Sequence, residues 1–180
     1  MGIQDRDKVA RDIYERAHLT GTFRLRCGAT SHEYFDKYMF EADPKLAMVI
    51  AEQLADLVPS DADALAGLEL GGVPLATLTS QATGLPTLFV RKAAKDYGTA
   101  RLAEGGEVAG RSIVIIEDVV TSGGQIIESA EALRALGGRV ATALCVIDRE
   151  ARGAENLAQA GLELRALFGM SEVLAAASSA

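Results

Sequence analysis

The amino-acid sequence predicts an α/β fold in which a doubly wound, mainly parallel central sheet is flanked by helices. Two observations support this prediction. Short apolar runs, several of them rich in β-branched residues, alternate with helical patterns, and glycine or proline separates many of these segments. Strands that alternate with helices form right-handed βαβ units, which make the strands parallel and cover both faces of the sheet. The 180 residues, 49% of them hydrophobic, are expected to form one domain with a real core.

The N-terminal part of the chain is predicted to contain two helices separated by an irregular segment. Apolar residues recur at helical spacing over residues 5–18, whereas residues 21–42 are rich in aromatic residues and show no period. The pair Asp43-Pro44 is typical of a helix start, with aspartate as the N-cap and proline as the first helical residue. This second helix is predicted to end near Leu57.

The remaining elements are predicted to alternate along the chain. Strands are predicted at 64–69, 86–90, 112–116, 140–147 and 162–167, and helices at 73–83, 124–136, 151–160 and 171–177. Residues 91–111 form a long polar segment without a clear period. In sheets of this kind ligands bind beyond the carboxyl ends of the strands, so the segments that follow the strands are the places to search for a site.

Charge and composition argue against several classes of function. The net charge of −7 and a pI near 4.9 disfavour general nucleic-acid binding, which depends on neutralising phosphates. No apolar run approaches the roughly 20 residues of a membrane helix, so we expect no membrane insertion. The charged N-terminus has no apolar segment, and we expect no signal peptide and a cytoplasmic location. The cysteines Cys27 and Cys145 lie in no metal-type cluster.

A candidate phosphate-binding loop follows the predicted strand at 112–116. Two carboxylates, Glu117 and Asp118, come first, and a loop rich in hydroxyl groups and glycine leads into the next predicted helix. Backbone N–H groups, hydroxyl groups and the positive end of a helix dipole together bind phosphate. The residues expected to hold the phosphate are Thr121, Ser122, Gly123, Gly124 and Gln125. The carboxylates would repel a bare phosphate, so they favour a ligand that also carries sugar hydroxyl groups or magnesium.

A simpler interpretation of this loop stays open at the level of the sequence. Thr121 or Ser122 would then only cap the helix, and Glu117 and Asp118 would form a solvated strand end. The loop is neither a Walker motif nor a Rossmann motif, because their glycine patterns are absent. The full order of apolar residues, two acids, two apolar residues and Thr-Ser-Gly-Gly is similar to the phosphoribosyl diphosphate (PRPP) signature of the type I phosphoribosyltransferases.

A basic segment after the predicted strand at 86–90 is the second candidate site. In a chain that is acidic overall, it contains the four cations Arg91, Lys92, Lys95 and Arg101. Long loops often act as lids or binding loops, and these cations suit a diphosphate leaving group. A solvated surface loop is the alternative interpretation.

The basic segment resembles the catalytic loop of the orotate phosphoribosyltransferases. Its Lys-x-Tyr-Gly-Thr form is similar to the version in archaeal enzymes and in the first domain of eukaryotic UMP synthase. Other segments resemble this family in the same order along the chain, namely 23–28 with 34–36, 67–76, and Asp148-Arg149-Glu150. The resemblance spans about residues 10–170.

The resemblance implies an enzyme of pyrimidine biosynthesis. Such an enzyme joins orotate and PRPP to give orotidine 5′-monophosphate and diphosphate, through a transition state similar to an oxocarbenium ion. The resemblance also implies Mg2+ held mainly by PRPP and water, without a dedicated protein cage, and a homodimer with active sites shared between subunits. It implies a single phosphoribosyltransferase domain over residues 1–180, with a small hood from about 1–42 and 150–178 and a flexible catalytic loop at about 92–108.

The resemblance assigns roles to particular residues of this sequence. The catalytic residues are Lys95, Glu117 and Asp118. The residues for the 5′-phosphate of PRPP are Thr121, Ser122, Gly123, Gly124 and Gln125. The residues for diphosphate are Arg91, Lys92, Lys95, Tyr97, Gly71 and Gly72. The residues for orotate are Arg26, Tyr34, Phe35, Thr121 and Arg152.

Three residues depart from the family pattern. Tyr97 stands where many bacterial enzymes have histidine, Gly71 where they carry a lysine, and Arg26 replaces the more usual lysine. Tyr34 and Phe35 could instead pack in the core. Arg152 could instead be a surface residue of a helix.

Three alternatives are weighed against orotate transfer. One is a doubly wound domain with an unrelated phosphate ligand, which the separate family-like segments in consistent order disfavour. A type I transferase for a purine or for uracil would share the PRPP site, but not Arg26 and the basic segment. A non-catalytic PRPP sensor would usually add a DNA-binding element or a basic face, and the acidic chain shows neither.

Overall fold

A six-stranded sheet forms the centre of the structure, a computed structural model that describes residues 6–24, 28–92 and 102–178. The strands are β1 (His18–Arg24), β2 (Thr30–Phe35), β3 (Ala64–Leu68), β4 (Thr87–Val90), β5 (Ala103–Glu104), β6 (Ser112–Val120), β7 (Arg139–Asp148) and β8 (Glu163–Gly169). The helices are α1 (Arg6–Ala17), α2 (Lys37–Glu41), α3 (Pro44–Leu57), α4 (Gly72–Thr83), α5 (Gly124–Ala135), α6 (Gly153–Gln159) and α7 (Met170–Ser178).

The order of the strands confirms the predicted fold class. The central sheet runs β5-β4-β3-β6-β7-β8, and all neighbours are parallel except β4 and β5. The chain proceeds outward from β3 through β4 on one side and outward from β6 through β7 and β8 on the other. The strand order therefore reverses between β3 and β6. Ligands of doubly wound sheets bind at this kind of switch point, beyond the carboxyl ends of the two strands.

Two apolar cores cover the two faces of the sheet. Along β6, Val114 and Ile116 face a core with α1, α3, α4 and α7, whereas Ile113 and Ile115 face a core with α5 and α6. The alternation follows from the two-residue period of a strand. By the same alternation, the side chains of the two acidic residues that follow in β6, Glu117 and Asp118, start from opposite faces of the sheet.

The start of α3 is as predicted. Pro44 is its first residue, and the carboxylate of Asp43 accepts hydrogen bonds from the N–H groups of Lys45 and Leu46, both at 3.0 Å. These bonds satisfy donors that the helix itself leaves unpaired. The helix ends at Leu57, also as predicted.

The sequence predicts an irregular segment at 21–42, but residues 21–24 and 28–42 as described are largely regular. They contain most of an antiparallel hairpin of β1 and β2 and the short helix α2. Most side chains of the hairpin are exposed or half-buried on both faces, so the sequence lacks the alternation that marks a half-buried strand. A short antiparallel strand, β5, also occurs within the polar segment 91–111.

The two ends of the described chain pack together. Val9 and Ile13 of α1 share a core with Val173 and Ala176 of α7, and the side chain of Arg11 donates a hydrogen bond to the carbonyl of Ala176 at 3.3 Å. That these segments form the hood of a single domain stays a prediction. No described helix has the length and apolar character that crossing a membrane requires.

Candidate functional site

Two adjoining clefts lie at the switch point between β3 and β6. The first, here called the cradle cleft, has a volume of about 260 Å³. The second, the aromatic cleft, has a volume of about 570 Å³. Lys37, Val119 and Thr121 line both clefts and form their common wall. One ligand, or two ligands that react with each other, can therefore occupy both clefts and meet beside these three residues.

The cradle cleft is built around the start of α5. The N-cap residue of this helix is Gly123, with a φ of 76°, and it makes no side-chain capping bond. Residues from Thr121 through Gln125 line the cleft, and the amide of Asn156 fixes the loop by donating to the carbonyl of Ser122 at 2.9 Å. Thr121 and Ser122 therefore do not act as caps. The unpaired N–H groups and the positive end of the helix dipole are available to an anion in the cleft.

The turn after β3 approaches β6 closely. A Cβ added to Gly72 would lie 2.2 Å from the carbonyl oxygen of Ile116, so only glycine fits there. A Cβ added to Gly71 would lie 1.7 Å from Oδ2 of Asp118. Leu70 lines the cradle cleft and is exposed. This turn thus forms the wall of the cleft opposite α5.

The end of β4 meets the same turn. The backbone N–H of Lys92 donates to Oε2 of Glu69 at 3.1 Å, and both residues line the cradle cleft. Arg91 donates its backbone N–H to the carbonyl of Leu102 and lies outside the described walls of the two clefts. Lys95 and Tyr97 lie outside the described residues.

The two acids of β6 are buried and occupy different surroundings. Glu117 lines the cradle cleft, whereas the side chain of Asp118 is 0% exposed and faces α2. The ammonium of Lys37 lies 2.6 Å from Oδ2 and 2.8 Å from Oδ1 of Asp118. The interpretation of the acids as a solvated strand end is therefore wrong.

A third carboxyl group, Glu41 of α2, joins this cluster. Its Oε1 is buried and has no hydrogen-bond partner among the described residues. Burial, together with the nearby charge of Asp118, raises the pKa of Glu41 to about 9 and the pKa of Glu117 to about 8. For Asp118 burial acts in the same direction, but hydrogen bonds from Glu117 and Lys37 outweigh it and lower the pKa. At neutral pH these shifts favour an ionised Asp118 beside protonated Glu41 and Glu117.

The aromatic cleft combines ring faces with cations. Tyr34 and Phe35 of β2 line it together with Arg24 of β1 and Arg149, which follows β7. Tyr34 is exposed rather than packed in the core, and its ring lies 5.4 Å from that of Phe23. A flat anion suits this cleft, because ring faces cover it and guanidinium groups pair with a carboxylate.

The turn after β7 fixes the backbone of Arg149. The N–H of Arg149 donates to the carbonyl of Val120 at 2.9 Å, and the N–H of Glu150 donates to Asp148 at 2.9 Å. Arg152 instead is the N-cap residue of α6, with a side chain that is 81% exposed and lies 3.9 Å from Glu155. It lies on the surface, outside the described wall of the aromatic cleft. Arg26 lies outside the described residues.

Three charged residues of these clefts, Arg24, Lys37 and Arg149, did not emerge as candidates from the sequence, and neither did Glu41 in the buried cluster beside them. Arg149 lies inside the Asp-Arg-Glu motif, and this position could have indicated it. Arg24 could have been indicated by its place two residues before Arg26. Lys37 and Glu41 carry no motif, because their partner Asp118 is far away in the sequence.

The described residues contain no group of three or more histidine, cysteine, aspartate or glutamate side chains placed to hold a metal ion. Magnesium typically binds through one or two carboxylates together with substrate phosphates and water. Glu117 at the wall of the cradle cleft fits that kind of partial site, since a phosphate held at α5 would lie in the same cleft.

Comparisons with known proteins agree with this architecture. The sequence model of the phosphoribosyl transferase domain matches residues 39–160. An orotate phosphoribosyltransferase of Nocardioides sp. is 51% identical over 168 residues, which cover 93% of this chain and 94% of that protein. One from Halobacterium salinarum is 45% identical and covers 86% of this chain and 87% of that protein.

Solved structures give the same result. The orotate phosphoribosyltransferase of Mycobacterium tuberculosis, in complex with Fe(III) dicitrate, superposes with a TM-score of 0.85 at 29% identity. That match covers 93% of this chain and 98% of the other. The enzyme of Aeropyrum pernix gives a TM-score of 0.80 at 29% identity and covers 96% of this chain and 99% of its own.

Proposed function

The chain belongs to the orotate phosphoribosyltransferases of the phosphoribosyl transferase domain family, and from this premise we propose how its two clefts act. The reaction transfers the 5-phosphoribosyl group from PRPP to orotate and gives orotidine 5′-monophosphate and diphosphate, as in pyrimidine biosynthesis. The cradle cleft takes PRPP, and the aromatic cleft takes orotate.

The common wall of the two clefts is the observation that carries this proposal. Thr121 and Val119 line both, so a phosphate at the start of α5 and a flat base between Tyr34 and Arg149 lie on either side of one short segment. The ribose connects the two positions. Its reacting carbon then lies between the leaving diphosphate and the incoming base, which is the proximity that this transfer requires.

The 5′-phosphate binds at the start of α5. The N–H groups from Thr121 through Gln125 donate to its oxygens, and the helix dipole favours its charge. Gly123 gives the loop its left-handed turn, and its neighbour Gly124 leaves the approach to the backbone open.

The acids of β6 act on the ribose. Glu117 reaches the cradle cleft and accepts hydrogen bonds from ribose hydroxyls, and its negative charge stabilises the positive charge that develops on the sugar. Its raised pKa means that it is protonated in the ligand-free chain, and a cation beside it lowers the pKa and restores the charge. Asp118 is assigned the same role and becomes available when Lys37 leaves it.

Cations receive the diphosphate. Lys92 lines the cradle cleft next to the turn of Gly71 and Gly72, and the family resemblance supports the same role for Arg91 and Tyr97. Lys95 is the principal catalytic cation in this proposal, because it neutralises the leaving group as the glycosidic bond breaks.

Orotate binds in the aromatic cleft. Tyr34 and Phe35 cover its ring, and Arg149 and Arg24 pair with its carboxylate. Arg149 is preferred to Arg152 for this role, because Arg152 is on the surface and near Glu155. Arg26 keeps its predicted role toward orotate.

Magnesium, a dimer and a cytoplasmic location complete the proposal. Mg2+ would neutralise charge on the diphosphate, and Glu117, a carboxylate at the wall of the cradle cleft, would contribute to its site. The homodimer with shared active sites follows from the family resemblance, in which the catalytic loop reaches the neighbouring subunit.

The test is a turnover assay of the purified chain with PRPP, orotate and Mg2+. Loss of orotate absorbance together with release of diphosphate is expected, and chelation of Mg2+ is expected to stop both. Consumption of PRPP at a rate that does not depend on orotate would contradict the proposal.

A further inference from the structure

Lys37 separates Asp118 from the cradle cleft, where Asp118 is expected to bind the ribose of PRPP. The side chain of Asp118 is 0% exposed, and the ammonium of Lys37 contacts both of its oxygens at 2.6 and 2.8 Å. The side chain of Lys37 itself is 35% exposed and lines both clefts. The lysine therefore stands between Asp118 and the space for substrate.

Lys37 and a ribose hydroxyl compete for the same carboxylate oxygens of Asp118. Glu117 reaches the cradle cleft directly, but Asp118 reaches it only where Lys37 is displaced. When Lys37 leaves Asp118, its ammonium is still a cation at the common wall of the two clefts, both of which are expected to bind anions. Its nearest new partners are anionic oxygens of the substrate.

The turn at Gly71 offers no side-chain cation at this place. A Cβ on Gly71 would lie 1.7 Å from Oδ2 of Asp118 and 3.0 Å from Oε1 of Glu41. The same oxygen of Asp118 lies 2.6 Å from the ammonium of Lys37. The positive charge next to Asp118 thus comes from α2 instead of from the turn after β3.

We propose that Lys37 is a further substrate-binding residue, which holds Asp118 before PRPP binds and exchanges this partner for a diphosphate oxygen of PRPP when PRPP binds. The inference rests on the proposed function, since it takes PRPP as the ligand of the cradle cleft. Lys37 supplies from α2 the diphosphate contact that Gly71 lacks, and its departure frees Asp118 for the ribose.

The local structure allows this movement. Lysine has a long flexible stem with a compact charge, and the ring of Tyr38 lies 5.4 Å from the ammonium, near enough to attract it during the exchange. Glu41, one helical turn after Lys37, faces the same acid from α2. It provides a second neighbour for Asp118 after the lysine has moved.

The substitution Lys37→Gln tests this inference, because glutamine still donates a hydrogen bond to Asp118 but carries no charge. We expect the Kd and the KM for PRPP to rise about tenfold or more, as for the loss of a charged hydrogen bond, with the KM for orotate changed much less. Lys8→Gln is the matched control, because Lys8 pairs with Asp12 on the surface at 2.6 Å. A PRPP affinity within twofold of the parent chain would overturn the inference, and so would an effect confined to orotate.

A structure of the parent chain with PRPP and Mg2+ gives a test that does not depend on the variant. The inference expects the ammonium of Lys37 to leave Asp118 and to lie within hydrogen-bond distance of a diphosphate oxygen. An unbroken pair of Lys37 and Asp118 in that complex would overturn it. Failure of the proposed function would be recognised separately, since the parent chain would then not transfer phosphoribose to orotate at all.

Discussion

The carboxylate of Glu150 accepts two hydrogen bonds from Ser171, one from the backbone N–H at 2.6 Å and one from the hydroxyl at 2.7 Å. Glu150 has a φ of 54°, which is uncommon for a residue other than glycine. The bonds to Ser171 tie the turn after β7 to the start of α7. They therefore hold in place the residue that precedes Glu150, which is Arg149 at the wall of the aromatic cleft.

Because Glu150 holds the turn that carries Arg149, we expect its loss to change the KM for orotate and not the KM for PRPP. In Glu150→Ala the turn loses its attachment to Ser171, and we expect the KM for orotate to rise about three- to tenfold while the KM for PRPP stays the same. Steady-state kinetics with each substrate varied in turn measures this split. Glu155→Ala is the control, since Glu155 is exposed near Arg152. An equal rise of both KM values would show that Glu150 does not act through Arg149.

Gly71 predicts a steric effect on Asp118. A methyl group in Gly71→Ala would collide with Oδ2 of that acid, so either the turn or the carboxylate must move. We expect kcat/KM for PRPP to fall about tenfold or more, with the chain still folded. The Tm of the variant, measured on the same preparation, checks that the chain is still folded. Unchanged kinetics of the Gly71 variant would mean that the position of Asp118 is unimportant for catalysis.

The protonated state of Glu41 predicts how stability depends on pH. Its pKa rises from 4.5 to about 9 in the folded chain, because burial disfavours the charged form and Asp118 is near. Between pH 4.5 and about 9 the folded state therefore binds one more proton than the unfolded state. The stabilisation from this proton is complete below pH 4.5 and is lost as the pH rises through about 9.

Glu41→Gln removes this titration and keeps a neutral side chain. We expect the Tm of the ligand-free variant to fall less than that of the parent chain as the pH rises from 4.5 to about 9, the interval set by the pKa of Glu41. Some dependence remains, since burial also raises the pKa of Glu117. Parallel Tm profiles of the two chains would show that Glu41 is already ionised in the folded state.

Lys95 predicts a loss of turnover without a loss of stability. Lys95→Ala removes the cation assigned to the leaving diphosphate, and we expect kcat to fall about a hundredfold or more with little change in Tm. Turnover and thermal unfolding are measured on the same preparation. A kcat near that of the parent chain would remove Lys95 from the mechanism.

The parts of the fold that the sequence predicted well depend on local signals. The Asp43-Pro44 start of α3 and the buried apolar run of β6 are examples, because capping and burial act over a few neighbouring residues. The hairpin of β1 and β2 was missed, since its largely exposed side chains give no alternating pattern. Strand β6 was predicted too short, because Glu117 and Asp118 are acids within a buried strand.

In the site, too, residues in a local motif could be predicted, whereas residues that depend on long-range contacts could not. The loop from Thr121 to Gln125 was predicted because one local motif contains it. The roles of Lys37 and Glu41 were not, because they depend on contacts with Asp118 that only the folded chain creates. Arg152 was predicted to bind orotate and Arg149 was not, because the turn that positions Arg149 depends on a contact between Glu150 and Ser171 that only the folded chain creates.

The most direct test of the account is a product screen with several bases. The purified chain is mixed with PRPP and Mg2+, orotate, uracil, adenine, hypoxanthine or xanthine is added in turn, and nucleotide and diphosphate are followed. We expect orotidine 5′-monophosphate and diphosphate with orotate alone, because only orotate offers a carboxylate to the arginines of the aromatic cleft. Turnover of another base, or PRPP binding without turnover of any base, would contradict it.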